Sequence, residues 1–102
     1  MRVIIFFDLP TGTPVERKAY MQFRKYLLNA GYDMLQYSVY VRIAGSRDDA
    51  QHMLNIVKRH LPCKGQVRAL MVTEKQYAAM QILLGKPTIA EKETGCQEML
   101  VL

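Results

Sequence analysis

The apolar run Arg2-Val3-Ile4-Ile5-Phe6-Phe7 closes on one carboxylate, Asp8. A loop follows, Leu9-Pro10-Thr11-Gly12, and then a segment carrying Arg17, Lys18, Arg24 and Lys25. An acid at a strand end with cations beside it suits chemistry on a phosphodiester. Magnesium prefers hard oxygen ligands and often takes only one or two carboxylates, with waters and phosphate oxygens completing the shell. One Asp8 per chain makes a weak site. Two of them, brought together by a twofold axis, meet that requirement for Mg²⁺ or another divalent cation, and the metal would then polarise a phosphodiester and activate water. The same spacing also fits an Asp8 that only caps the backbone of loop 9–12. No second catalytic acid lies nearby in sequence, because Glu16 is placed to cap a helix.

On a helix, Arg24 lies about two turns beyond Arg17, and Lys25 about two turns beyond Lys18, so the four cations stack along one side. Such a row suits backbone phosphates, with Arg able to fork onto two oxygens. It also suits a solvated helix exterior. His52 and His60 fall in the second helical segment near Lys58 and Arg59, without the HExxH spacing of a metal site. Cys63 and Cys96 sit in no CxxC or Cys/His cluster, which excludes a zinc ribbon and a disulfide framework and favours reduced thiols in a cytosol. The six tyrosines, Tyr37 among them, are not expected to form a stacking platform of the RNA-recognition-motif type, whose signature is missing from residues 66–73, and the seven methionines read as core filler.

The elements that must position these groups follow from pattern and caps. Residues 2–7 read as a central strand covered on both faces. Thr13-Pro14-Val15-Glu16 is a capping box with Pro at the first helical position, and Gly31 is the stop. Val15, Ala19, Tyr20, Phe23, Tyr26, Leu27 and Ala30 form the inward stripe. Residues 32–43 divide into two strands bending near Gln36-Tyr37. Tyr37, Val39, Val41 and Ile43 are expected inside, alternating with Ser38, Tyr40 and Arg42. A second helix starts at Ser46 and runs to His60 or Leu61, with Ala50, Met53, Leu54, Val57 and Leu61 inward. Residues 66–73 form a fourth strand, and Thr73 caps a short third helix expected to stop at Gly85. A fifth strand over residues 80–84 is the lesser alternative. The tail is polar until Met99-Leu100-Val101-Leu102, which fits either an added strand on the chain's own sheet edge or a segment docking on a partner.

The order β-α-β-β-α-β predicts an α+β, ferredoxin-like domain over residues 1–84 with a tail over 85–102. Its helix-free face is apolar and calls for a cover, which face-to-face homodimerisation would supply. The chain has 102 residues, enough for one domain, and half of them are hydrophobic. Fourteen Lys and Arg against nine Asp and Glu give a net charge of +5, which points to a polyanionic partner, nucleic acid first, or to solubility alone. The start Met1-Arg2 runs straight into the strand pattern with no signal-peptide features, and no apolar run nears the roughly 20 residues of a membrane span.

Phe7-Asp8-Leu9-Pro10, Glu16-Arg17-Lys18, Gly31-Tyr32 and Gln36-Tyr37-Ser38-Val39-Tyr40 together resemble the small CRISPR-associated spacer-acquisition family. This is the non-integrase subunit of the adaptation complex, also named a CRISPR-associated endoribonuclease. The match spans about residues 1–84, and residues 7–40 resemble members from systems with a single large effector nuclease. The resemblance implies a homodimer of ferredoxin-like subunits with Asp8 near the dimer axis and assigned to magnesium. It further implies that the dimer bridges two integrase dimers and supports the middle of a protospacer duplex through basic side chains. Arg17 matches the family's helix-opening Arg, whereas Lys18, Arg24 and Lys25 come from the helix face. Two functions are therefore expected to compete: a DNA-holding adaptor, and a metal-dependent nuclease acting through paired Asp8. A metabolite-binding regulatory domain is a third, for which no glycine-rich phosphate loop is present.

Overall fold

The computed structural model describes residues 1–86. Strand β1 (Arg2–Asp8) lies inside a four-stranded sheet, antiparallel throughout. Its neighbours are β3 (Val39–Ile43) and β4 (Gln66–Val72), and β2 (Asp33–Gln36) forms the edge beyond β3, giving the order β2-β3-β1-β4. That order with two crossover helices is the ferredoxin-like arrangement. Because β1 has a neighbour on each side and cover on both faces, it reads as an unbroken apolar run. Val3, Ile5 and Phe7 project to the helix side, and Arg2, Ile4, Phe6 and Asp8 to the other.

Helix α1 (Pro14–Asn29) begins as its sequence dictates. The Glu16 N–H donates to Thr13 Oγ1 at 3.1 Å, and the Thr13 N–H donates to Glu16 Oε1 at 3.0 Å. Gly31, at φ +92°, ends it, and the Tyr32 N–H turns back to the Leu27 carbonyl at 3.0 Å. Phe23 and Leu27 are buried against β1 and β3, where Phe7 meets Phe23 edge-on at 5.2 Å and stacks on Tyr40 at 5.6 Å. Val15, expected inward, is 79% exposed, because the first turn overhangs the loop after β1 and has no sheet beneath it. Helix α2 (Arg47–Val57) is capped by Ser46 Oγ, accepting from the Asp49 N–H, and buries Ala50 and Val57 in the same core. It tightens into a 3₁₀ turn over Lys58–His60, so Leu61 falls outside the core.

The opposite face is covered in part by α3 (Glu74–Ala78). Its Tyr77 packs on Ile4, Leu35, Val39 and Val41, and the Arg2 guanidinium lies 4.6 Å above the Tyr77 ring while bonding Glu74 at 3.1 Å. The expected helix end at Gly85 is not reached, and residues 80–84 form no strand. Tyr77 is the one buried residue of the helix, and Met80, just past its end, packs against the same cluster. Leu83 and Leu84 are exposed. The expected alternation in β3 also fails. Val39 and Val41 are buried under α3 and Tyr40 under α1, whereas Tyr37 and Ile43 are exposed. Two covered faces leave no polar side to alternate with. The expected tail segment at Met99-Leu100-Val101-Leu102, with its added strand, lies outside the described residues.

Candidate nucleic-acid and metal site

Asp8 is the last residue of β1, paired in register with Gln66, and is exposed. It opens on a cleft of about 240 Å³ whose other walls include Phe6, Tyr37, Ser38, Gln66 and Arg68. Arg68 stands opposite Phe6, so it shares the face of Asp8. Among the described residues the Asp8 carboxylate makes no hydrogen bond and no ion pair, so it does not cap loop 9–12. Its backbone is held tightly instead. Gly65, at φ +97°, lets the chain entering β4 pass against the Asp8 carbonyl and Leu9.

Among the described residues no three His, Cys, Asp or Glu side chains gather as a metal-binding group. One chain thus offers one free hard-oxygen ligand at Asp8. Magnesium fits such a donor if phosphate oxygens or a second copy complete the shell. No histidine lines the cleft. The His60 ring is stacked on Tyr26 at 3.9 Å, and His52 is exposed on α2.

The four cations of α1 divide in two. Arg17 reaches back to donate to the Thr11 carbonyl at 3.2 Å, which draws its guanidinium over the loop after Asp8. Arg24, half-buried, lines a second cleft with Tyr20, Met34 and Tyr37. Lys18 and Lys25 are exposed. None of the four is ion-paired with an acid among the described residues.

Tyr37 and Ser38 line both clefts. Ser38 adopts φ +63°, its carbonyl accepts from the Phe7 N–H at 3.1 Å, and its hydroxyl lies 3.3 Å from the Tyr20 hydroxyl. A hydrogen bond with Tyr20 pushes the Tyr37 phenol above its ordinary value, while nearby Arg24 pulls the other way. Sequence pattern does not single out Tyr37, Ser38 or Arg68 as site residues. Arg68 emerges only from the β1–β4 register, which sets it two residues from the partner of Asp8.

Residues 1–80 match the family model described as CRISPR associated protein Cas2. The chain belongs to the Cas2 family. A CRISPR-associated endoribonuclease Cas2 from Acidovorax ebreus (strain TPSY) is 46% identical over 99 residues, 97% of each chain. One from Ligilactobacillus salivarius (strain UCC118) is 45% identical over 102 residues, the full length of both. A third Cas2, from Campylobacter jejuni subsp. jejuni serotype O:2, is 46% identical over 92 residues, 90% of this chain and 64% of its own. The resemblance carried by Phe7-Asp8-Leu9-Pro10 and Gln36-Tyr37-Ser38-Val39-Tyr40 is thus that of a family member. Among the described residues, no helix of this Cas2-family chain is long and apolar enough to cross a membrane.

Proposed function

We propose that the chain serves CRISPR adaptation in the cytosol as a homodimer that holds duplex protospacer DNA and bridges integrase subunits. The observation that carries this reading is the row Arg17, Lys18, Arg24 and Lys25, unpaired with any acid among the described residues, on a chain of net charge +5. Cations left free in this way suit phosphates and give salt-dependent, sequence-independent binding. Pairing of two chains would lay Phe6 and Leu70, 38% and 52% exposed on the Asp8 side of the sheet, against their twins. Residues 1–84 are the folded unit in this reading, and 85–102 the partner-docking tail.

The test is duplex binding across a salt series. Reversing charge at Arg17 and Arg24 together should lower affinity and reduce the slope of log K against log salt by about two, roughly one per lost phosphate contact. A monomer at working concentration that ignores duplexes at low salt would end the proposal.

A second reading is a metal-dependent phosphodiesterase acting on RNA or DNA through paired Asp8 residues. It is favoured by the unbonded Asp8 carboxylate opening on a cleft beside Arg68, and by the endoribonuclease name of the relatives. Asp8 would hold the cation and Arg68 would receive a phosphate oxygen. A bound magnesium would supply Lewis-acid polarisation and an acidified water. Asp8→Asn separates the readings. The adaptor keeps integration with its cognate integrase, while the nuclease loses magnesium-dependent cleavage. The adaptor is preferred because, among the described residues, no histidine or second acid stands in the cleft to act as a general base.

A further inference from the structure

The β2–β3 turn is built more firmly than its job of joining two strands requires. Only Tyr37 and Ser38 connect Gln36 to Val39. A two-residue connection with left-handed backbone ordinarily takes Gly or Asn. Here a serine holds φ +63° and is fixed by its carbonyl to the Phe7 N–H and by its hydroxyl to Tyr20. The residue so presented is an aromatic that is 78% exposed. Its ring rests on Tyr20 at 6.3 Å with an interplanar angle of 26°, and Tyr20 in turn leans on Phe7 at 5.6 Å. One side of the Tyr37 ring is thus backed by a pile of rings rooted in the core, while the rest stands open. Arg24 lies in the cleft on one side of it, and Arg68 and Asp8 in the cleft on the other.

We infer that Tyr37 is a stacking platform for an unpaired nucleobase, with Arg24 receiving the phosphate beside it. The chemistry is that of single-stranded nucleic-acid sites generally: an exposed ring takes the face of any base, and flanking cations track the backbone. A protein partner is the competing occupant, since exposed Met21 and Met34 line the Arg24 cleft; the Arg24 charge beside the ring favours a polyanion. A fixed ring also loses little conformational freedom on binding, which is the gain from pinning the turn. The inference rests on the nucleic-acid reading above only in that a strand must reach this face. It adds that the chain distinguishes an unpaired end from a continuous duplex.

The experiment measures binding of the full chain to three labelled probes at one salt concentration. These are a blunt duplex, the same duplex with unpaired 3′ extensions, and the extended duplex with abasic sites in place of the extension's bases. Wild type should bind the extended probe roughly ten-fold more tightly than the blunt one, and the abasic probe no better than the blunt one. Tyr37→Ala should bring the extended probe down to the blunt level with blunt binding unchanged, whereas Tyr37→Phe should keep the advantage. Arg24→Gln should weaken all three and lower the salt slope. Equal binding of extended and abasic probes by wild type, or an advantage that survives Tyr37→Ala, overturns the stacking site and leaves the duplex-holding reading standing. Binding of the extended probe but not the blunt one supports stacking and removes the duplex-holding reading. Binding of neither removes both. Far-ultraviolet circular dichroism of Tyr37→Ala checks that the exposed substitution leaves the fold intact.

Discussion

Replacing Gly65 by Ala strains the one place where two strand ends are forced together beside Asp8. The perturbation has two parts. At φ +97° an L-residue pays about 1–2 kcal/mol for left-handed backbone. The added Cβ would also stand 2.6 Å from the Asp8 carbonyl oxygen, 2.7 Å from Leu9 Cδ2 and 3.0 Å from Leu9 Cα. Two of those three atoms are backbone, and the third belongs to a leucine only 8% exposed, so none can step aside cheaply. Overpacking of this kind adds about 1–3 kcal/mol, for a total of about 2–4 kcal/mol. With a urea slope of about 1.5 kcal/mol/M for a small domain, the midpoint should fall by roughly 2 M. Gly85→Ala is the control. It shares the positive φ, at +104°, but its Cβ would meet nothing within 4 Å among the described residues, so only the backbone part remains there. Both variants are unfolded at the same protein concentration, since self-association would otherwise shift the midpoint. A Gly65→Ala midpoint no lower than that of Gly85→Ala would refute the close approach at Asp8.

Thr13→Ala removes the side-chain bond at the start of α1 and unsettles its capping box, and should cost about 1 kcal/mol, read as a melting temperature lowered by about 4–8 °C. Phe23→Ala empties the space between Phe7 and Tyr26 and should cost about 3–5 kcal/mol by urea denaturation, enough to threaten the fold. The hydrogen bond from Arg2 holds the Glu74 carboxyl below the usual glutamate value of 4.5. Its contribution is therefore complete above that value and fades as pH falls through the lower, folded one. Glu74→Gln should cost about 1–2 kcal/mol at neutral pH, because Arg2 is 3% exposed and is left with the Tyr77 ring, while half of Glu74 is open to water. The difference between variant and wild type should close on acidification below pH 4.5, and a gap independent of pH would count against the pair.

Elements with a local cause are legible in the sequence itself. The Thr13 and Thr73 capping boxes, the Gly31 stop and the unbroken run of β1 each act within a few residues of chain, and each stands where pattern puts it. What fails depends on which surface a residue meets. Val15 satisfies the helical period but has no sheet beneath it, and Tyr40 follows its strand's alternation onto a face that α1 covers. The site divides the same way. Asp8 is visible because it ends a strand. Tyr37 and Arg68 are not, because their nearness to Asp8 comes from long-range strand pairing and a two-residue turn.

The interior position of β1 between two antiparallel neighbours ties the placement of its acid to the integrity of the core. Removing or adding one residue between Arg2 and Phe7 would invert the strand, sending Phe7 outward and Asp8 among the rings of Phe23 and Tyr40. An anion in that oily interior costs several kcal/mol, so pairings slipped by one residue are strongly disfavoured. The acid is kept at its threshold by the greasiness of the residue before it.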